Sequence, residues 1–183
     1  MDNGACSYRR FLDGDESAFD EIMESYFHSL VFFIDRYVHD THTAEDIAID
    51  VFCDLVVHRN RYNFKVSLKT YLFMLGRSRA LDHIKHTKVI TFVELSEALP
   101  LTSDRDELIT LVISNERKQR LNDAISKLPE QMSEVLHLVF FEGMSYDEAA
   151  KVMKKNRKQV DNLIYRAKKE LRAVLGEDGE ELI

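Results

Sequence analysis

The stretch that most constrains this chain is Ser145 to Leu175, SYDEAAKVMKKNRKQVDNLIYRAKKELRAVL. It reads as a helix, a tight turn and a second helix. Ser145 suits an N-cap, and Glu148 three residues on completes a capping box. Apolar Ala149, Ala150, Val152 and Met153 follow. Lys154-Lys155-Asn156 forms the turn, and Asn156 caps the next helix. There Val160, Leu163, Ile164, Ala167 and Leu171 recur at helical spacing and make one inward stripe. The face left over holds Arg157, Lys158, Asp161, Asn162, Tyr165, Arg166, Lys168, Lys169 and Arg172.

Such a face suits a DNA major groove. A helix fits the groove, Arg and Lys contact guanine, Asn contacts adenine, and the remaining cations hold phosphates. A basic helix by itself reads equally well as the solvated side of a bundle. The capped helix, short turn and basic second helix together favour DNA.

A net charge of -7 looks wrong for that purpose until it is divided along the chain. Residues 1–60 carry 4 Lys+Arg against 13 Asp+Glu, and residues 91–150 carry 5 against 12. Residues 61–90 carry 7 against 1, and residues 151–175 carry 9 against 2. Counterion release needs local cations, so the two basic islands matter more than the total. The acidic remainder weakens non-specific DNA binding and can face a basic partner. No apolar run is long enough to span a bilayer, and MDNGACSYRR lacks the apolar stretch of a signal peptide, so a cytoplasmic location without membrane insertion is expected. Cys6 and Cys53 have no metal-ligand spacing. They are expected as reduced thiols, with Cys53 a small packing residue.

Helical periodicity runs through the whole chain, which has only two prolines, Pro100 and Pro129, and predicts an all-α fold. A first amphipathic helix is expected over Asp15 to Val38, with Phe19, Ile22, Met23, Tyr26, Leu30, Phe33, Ile34 and Tyr37 in phase. A second opens at Thr43 through a Thr43–Asp46 capping box. Ile47, Val51, Phe52 and Leu55 form its core stripe, while Ile49, Cys53, Val56 and Val57 form a second apolar line. A helix apolar on two faces is deeply buried or meets a partner. Asp46, Asp50 and Asp54 make an acidic edge that reads as solvated. The histidines His39 and His42 precede that helix without an HxxxH pair, so no metal site is expected.

Asn60 to Ser67 reads as a loop rich in aromatic and basic residues, followed by a third helix from Leu68 to Lys88. Cations that track a backbone and rings that stack on unpaired bases are the ingredients of single-strand binding. Tyr62 and Phe64, on the loop, are the better stacking candidates; core packing claims Tyr71 and Phe73. Thr91 to Asp106 is the least periodic stretch and reads as a linker. Domains are therefore expected at 1–90 and 107–183, joined by 91–106. Helical pattern resumes over Glu107 to Lys127, then Pro129 opens a helix packed by Val135, Leu136, Leu138, Val139 and Phe140 and ended by Gly143.

The order of these features resembles a bacterial sigma factor, most closely the extracytoplasmic-function class, which keeps region two and region four only. TAEDIAIDVF at 43–52 resembles the family's DAEDLVQEVF. SLKTYLFMLGRSRALDHIKH at 67–86 resembles its SFRAWLFRIARNLALDYLRR. Leu128-Pro129 and the segment from Gly143 onward resemble region four. The resemblance implies a region-two helical bundle and a region-four helix-turn-helix. It implies a protein that binds core RNA polymerase and promoter DNA, with an anti-sigma factor as a further partner and no cofactor. Asp46, Ile49, Asp50 and Phe52 would dock on the polymerase clamp helices. Tyr62, Phe64, Lys69, Arg77, Ser78 and Lys85 would hold the minus-ten element with one base extruded. Lys158, Asp161, Asn162, Tyr165 and Arg166 would read the minus-thirty-five element, with Arg157 and Lys169 on phosphates. Ile49 replaces a usual Gln, which implies a more apolar polymerase contact or packing within the domain; Ser78 replaces a common Asn and Asp161 a common Lys or Arg, so promoter sequence does not transfer from other members.

Two other readings fit part of the chain: a free-standing helix-turn-helix regulator, and a protein-binding helical adaptor. The first leaves the basic aromatic third helix unexplained. An enzyme is not expected, because no phosphate-binding glycine loop, metal-ligand set or nucleophile–base pair is recognisable from spacing.

Overall fold

The computed structural model describes residues 3–94, 124–125 and 127–175. Every regular element among them is helical. The chain divides into two compact units, Met1–Arg105 and Asp106–Ile183.

The first unit is built on α2 (Ser17–Val38), which packs against α1 (Asn3–Leu12), α3 (Thr41–Val57) and α4 (Leu68–Glu94). Its core comes from α2 residues Ile22, Leu30, Phe33, Ile34 and Tyr37, with Val51, Phe52 and Leu55 of α3 and Leu68, Leu72, Phe73 and Ala80 of α4. Gly76 lets α2 and α4 approach: a Cβ there would stand 2.9 Å from Leu30 Cδ1 and 3.2 Å from Ile34 Cδ1.

Helix α1 was not expected from the sequence. It buries Gly4, Tyr8 and Phe11, and its Arg10 pairs with Asp15 and Glu21. The start of α3 also differs from the expected Thr43 box. His39 adopts the left-handed conformation (φ 55°) that ends α2, and Asp40 then caps α3 by accepting from the Thr43 N–H at 2.7 Å. An aspartate outcompetes the threonine because its carboxylate both accepts that bond and faces the positive end of the helix dipole. Helix α4 continues to Glu94, past the expected end at Lys88.

Bonds from the Thr43 hydroxyl and then from its N–H hold the Asp40 carboxyl below the usual carboxylate range. The stabilisation is therefore present above the unfolded-state value and is lost as pH falls through the folded one. Asp40→Ala is expected to cost about 1 kcal/mol near neutral pH. That deficit should begin to shrink as pH falls below the unfolded-state value of about 4 and should vanish only at lower pH, where the folded cap itself becomes protonated. Urea midpoints at neutral and acid pH check it, and an equal deficit at both contradicts the cap.

In the second unit, Pro129 precedes α5 (Glu130–Leu136), which runs into a wide turn over His137–Phe141 closed by Glu142 N–H donating to the His137 carbonyl. Gly143 (φ 66°) ends it, and α6 (Tyr146–Val152) and α7 (Arg157–Leu175) follow. Helix α7 packs against α5 and α6. Phe140, expected in the core, is exposed, because a turn with i→i+5 bonding breaks the α-helical phase. Most of the helix expected over Glu107 to Lys127 lies outside the described residues, as does the acidic tail.

Candidate nucleic-acid and polymerase interfaces

The second unit holds α7 by reciprocal bonds at both helix starts. Ser145 Oγ accepts from the Glu148 N–H at 3.3 Å, while Glu148 returns an oxygen to the Ser145 N–H at 3.0 Å. The same exchange opens α7, with Asn156 and Gln159 each accepting from the other's N–H at 2.9 Å. Between them the chain reverses at Lys154 (φ 53°), and the Lys155 N–H reaches the Ala150 carbonyl at 2.9 Å. That bond satisfies a helix-end carbonyl in the manner of a Schellman closure. Arg157 pairs with Asp147 at 2.8 Å and ties the first turn of α7 to α6.

Val160, Ile164, Ala167 and Leu171 are buried, which fixes the rotation of α7. Arg157, Lys158, Asp161, Asn162, Tyr165, Arg166 and Lys169 all lie on its exposed side. Tyr165 is 73% exposed. An aromatic ring left that open on a helix otherwise packed in register has no core role, and its face can meet bases or sugars.

In the first unit the connection from α3 to α4 folds around its own aromatics. Tyr62 packs on Tyr8, Phe64 and Tyr71, with centroids at 5.5, 4.6 and 5.1 Å. Its hydroxyl donates to the Val66 carbonyl at 2.8 Å. Only 3% of Tyr62 is exposed, so it is a core residue and not a stacking surface, contrary to expectation. Its ring closes the core where the loop crosses α1 and α4, between the rings of Tyr8 and Tyr71. Phe64 stays half-buried, at φ 59°, a conformation that costs a non-glycine residue roughly 1–3 kcal/mol. The Arg9 guanidinium lies 4.9 Å above its ring. Lys69, Arg77 and Ser78 are half-buried along α4, and Lys85 is exposed beside Asp82. The Lys69 ammonium stands 5.8 Å from the ring of buried Phe73.

Helix α3 turns its second apolar line outward. Ile49 is 46% and Val57 72% exposed, and Cys53 between them is exposed rather than packed. These positions are spaced by four, so they form one ridge, flanked by exposed Asp46 and Asp50. Phe52 is 2% exposed and sits against Phe19 and Phe27. It belongs to the opposite, inward face and offers nothing to a partner. Asp54, read from sequence as part of a solvated edge, is largely buried. His58 stands 2.7 Å from it, Arg61 2.9 Å and Arg79 3.7 Å. Arg79 also reaches Asp50 at 3.4 Å. The acidic edge is thereby reduced to Asp46 and Asp50.

No helix among the described residues is long and apolar enough to cross a membrane. A helical bundle with an outward apolar ridge and a cationic loop region, together with a capped helix-turn-helix, defines an all-α protein with a candidate DNA-reading helix and a candidate protein-docking ridge. Residues 22–89 match sigma-70 region 2, and residues 118–171 match sigma-70, region 4. The chain belongs to the sigma-70 family, in its extracytoplasmic-function class. It resembles the ECF RNA polymerase sigma factor SigM of Bacillus subtilis, at 26% identity over 85% of this chain and 93% of that one. It is also 27% identical to the RNA polymerase sigma-H factor of Pseudomonas aeruginosa, over 85% of this chain and 84% of the relative. Among solved structures, the fold is like that of the sigma factor RpoE from Bartonella quintana, solved with the anti-sigma factor NepR. That likeness has a TM-score of 0.69 at 18% identity, covering 87% of this chain and 98% of the other. CnrH, solved with the cytosolic domain of CnrY, gives 0.66 at 20% identity, over 95% and 97%. The protein is an alternative sigma factor: it binds core RNA polymerase and promoter DNA and directs initiation, while the polymerase performs the chemistry.

Proposed function

We propose a division of labour among three surfaces. The Ile49–Cys53–Val57 ridge with Asp46 and Asp50 docks on the polymerase. Phe64 with Lys69, Arg77, Ser78 and Lys85 holds one strand of the minus-ten element. The exposed side of α7 reads the minus-thirty-five element, with Asn162 suited to adenine, Asp161 to the cytosine amino group, Lys158 and Arg166 to guanine, and Arg157 and Lys169 to phosphate. The observation that carries this reading is the α7 register. Its four core residues turn every candidate base-reading side chain to solvent at once.

The domain boundaries, 1–90 and 107–183 around a linker at 91–106, belong to the same proposal, with the first four linker positions taken up by the end of α4. Tethering makes the second DNA contact intramolecular, so two weak readers bind tightly together. The acidic remainder keeps the free protein off DNA. A protein that works on core polymerase belongs in the cytoplasm, and the likeness to RpoE, solved with the anti-sigma factor NepR, supports an anti-sigma factor as a further partner.

The test is transcription from a library of promoter fragments with reconstituted holoenzyme. Asn162→Ala is expected to relax one upstream base position by about 1–3 kcal/mol and leave the downstream motif intact. Phe64→Ala is expected to weaken the downstream motif by a similar ~1–3 kcal/mol and leave the upstream one intact. Unchanged motifs in both variants refute the assignment.

A further inference from the structure

We propose that Tyr8 of α1 is a positioning residue for minus-ten recognition: its hydroxyl holds the start of the loop that presents Phe64. This rests on the reading of that loop as the strand-holding element.

The geometry is specific. Tyr8 is fully buried, and its hydroxyl lies 3.0 Å from both the Leu55 and the Arg59 carbonyl oxygens. Leu55 is in the last turn of α3, where carbonyls lack helical partners, and Arg59 is in the first turn of the loop. One phenol therefore bridges the end of the helix and the beginning of the loop, donating its single proton to this pair of acceptors. At the far end the Tyr62 hydroxyl closes on the Val66 carbonyl at 2.8 Å. In the middle, the Asn63 side chain accepts from the Lys65 N–H at 3.1 Å. Phe64 lies within this frame in its left-handed conformation, with the Tyr8 ring 6.1 Å away and Arg9 over its face. Arg59 in turn covers Phe11 at 4.7 Å.

Helix α1 thus contributes a hydrogen bond, a ring contact and a cation to a loop some fifty residues downstream. A strained residue keeps its conformation only where its surroundings over-determine it. Loop pre-organisation lowers the ordering cost when a base stacks. Removing the Tyr8 hydroxyl leaves the ring in the core and releases the loop start.

The experiment uses full-length protein in holoenzyme. The probe is a non-template oligonucleotide from a promoter that this holoenzyme transcribes, with 2-aminopurine at the extruded base. Tyr8→Phe and Tyr62→Phe each delete one hydroxyl and keep the ring; Phe64→Ala removes the stacking ring. The expected result is an approximately tenfold loss of oligonucleotide affinity for each hydroxyl deletion, with a changed 2-aminopurine signal and unchanged affinity for core polymerase. If Phe64→Ala weakens the probe and Tyr8→Phe does not, the positioning role is overturned. If Tyr8→Phe lowers core affinity in step with probe affinity, Tyr8 is a structural residue only and the proposal also falls. If Phe64→Ala binds the probe as wild type does, the reading of the loop itself has failed, whatever Tyr8→Phe does.

Discussion

Phe73→Ala is expected to cost the first unit about 3–5 kcal/mol, the usual result of emptying a fully buried aromatic site. Phe73 has no exposed surface, and its ring lies 4.9 Å from that of Phe33. Gly76 one turn later brings the α4 backbone against Leu30 and Ile34, so the surroundings already sit at their closest approach. They cannot collapse inward to fill the space, which places the cost at the upper end of that range. A domain's total stability is of order 5–15 kcal/mol, so the variant should be largely unfolded in moderate urea. The second unit draws its core from Val135, Leu136, Val160, Ile164 and their neighbours, and should keep its own transition. Denaturation followed separately for the two units checks this. A single transition shifted as a whole would contradict independent cores.

Ile49→Asp should do the reverse, costing little stability and weakening polymerase binding by about thirtyfold or more, or ~2 kcal/mol. Nearly half of Ile49 is already in water and it lies outside the core, so only a small burial term is lost. A carboxylate placed in the middle of an apolar ridge must be desolvated on docking without a partner, which is where interface substitutions have their largest effects. Phe52→Ala is the informative contrast. Phe52 faces inward, so its loss should lower stability first and polymerase affinity only as a consequence. Binding measured by competition for core polymerase, beside thermal unfolding of the free protein, separates the two. Wild-type affinity for Ile49→Asp would remove the ridge from the interface.

Where sequence and structure part company, the reasons are local. The helix-turn-helix was legible because capping residues and core stripe act within a few positions: Ser145, Glu148, Asn156 and the stripe of Val160, Ile164, Ala167 and Leu171 appear as read, with Leu163 half-buried at its edge. The two-faced apolar pattern of α3 left burial and partner contact open. Only the packing of α2 and α4 on the Ile47–Leu55 side shows that the Ile49–Val57 side is outward. Periodicity placed Phe52 in the α3 core stripe and only the resemblance made it a docking residue, while Tyr62 was read as a stacking ring from its place on a loop among cations; neither a family motif nor loop composition says which way a ring turns. Tertiary aromatic packing decides that, through contacts with Phe19 and Phe27 in one case and Tyr8 and Tyr71 in the other.

Helix α1 was missed although its signal was present. Gly4, Tyr8 and Phe11 stand at offsets of four and seven, a helical stripe. The segment is short, and its stability comes from docking: Tyr8 reaches carbonyls far along the chain, and Arg10 is held by Asp15 and Glu21. Short helices owe little to propensity, so a stripe of three residues is only a weak local mark. Asp54 is a similar case. Its periodicity placed it on a solvated edge, but His58, Arg61 and Arg79 converge on it from the helix end, the loop and α4.

The central claim is that this chain directs RNA polymerase to promoters. The most direct measurement adds the purified protein to sigma-free core polymerase with promoter fragments from its own genome and maps the transcript starts. The expected result is a set of discrete starts that need both protein and core, sharing two motifs upstream. Absence of such starts, with tight sequence-specific duplex binding by the protein alone, would contradict the account and make the chain a free-standing helix-turn-helix regulator.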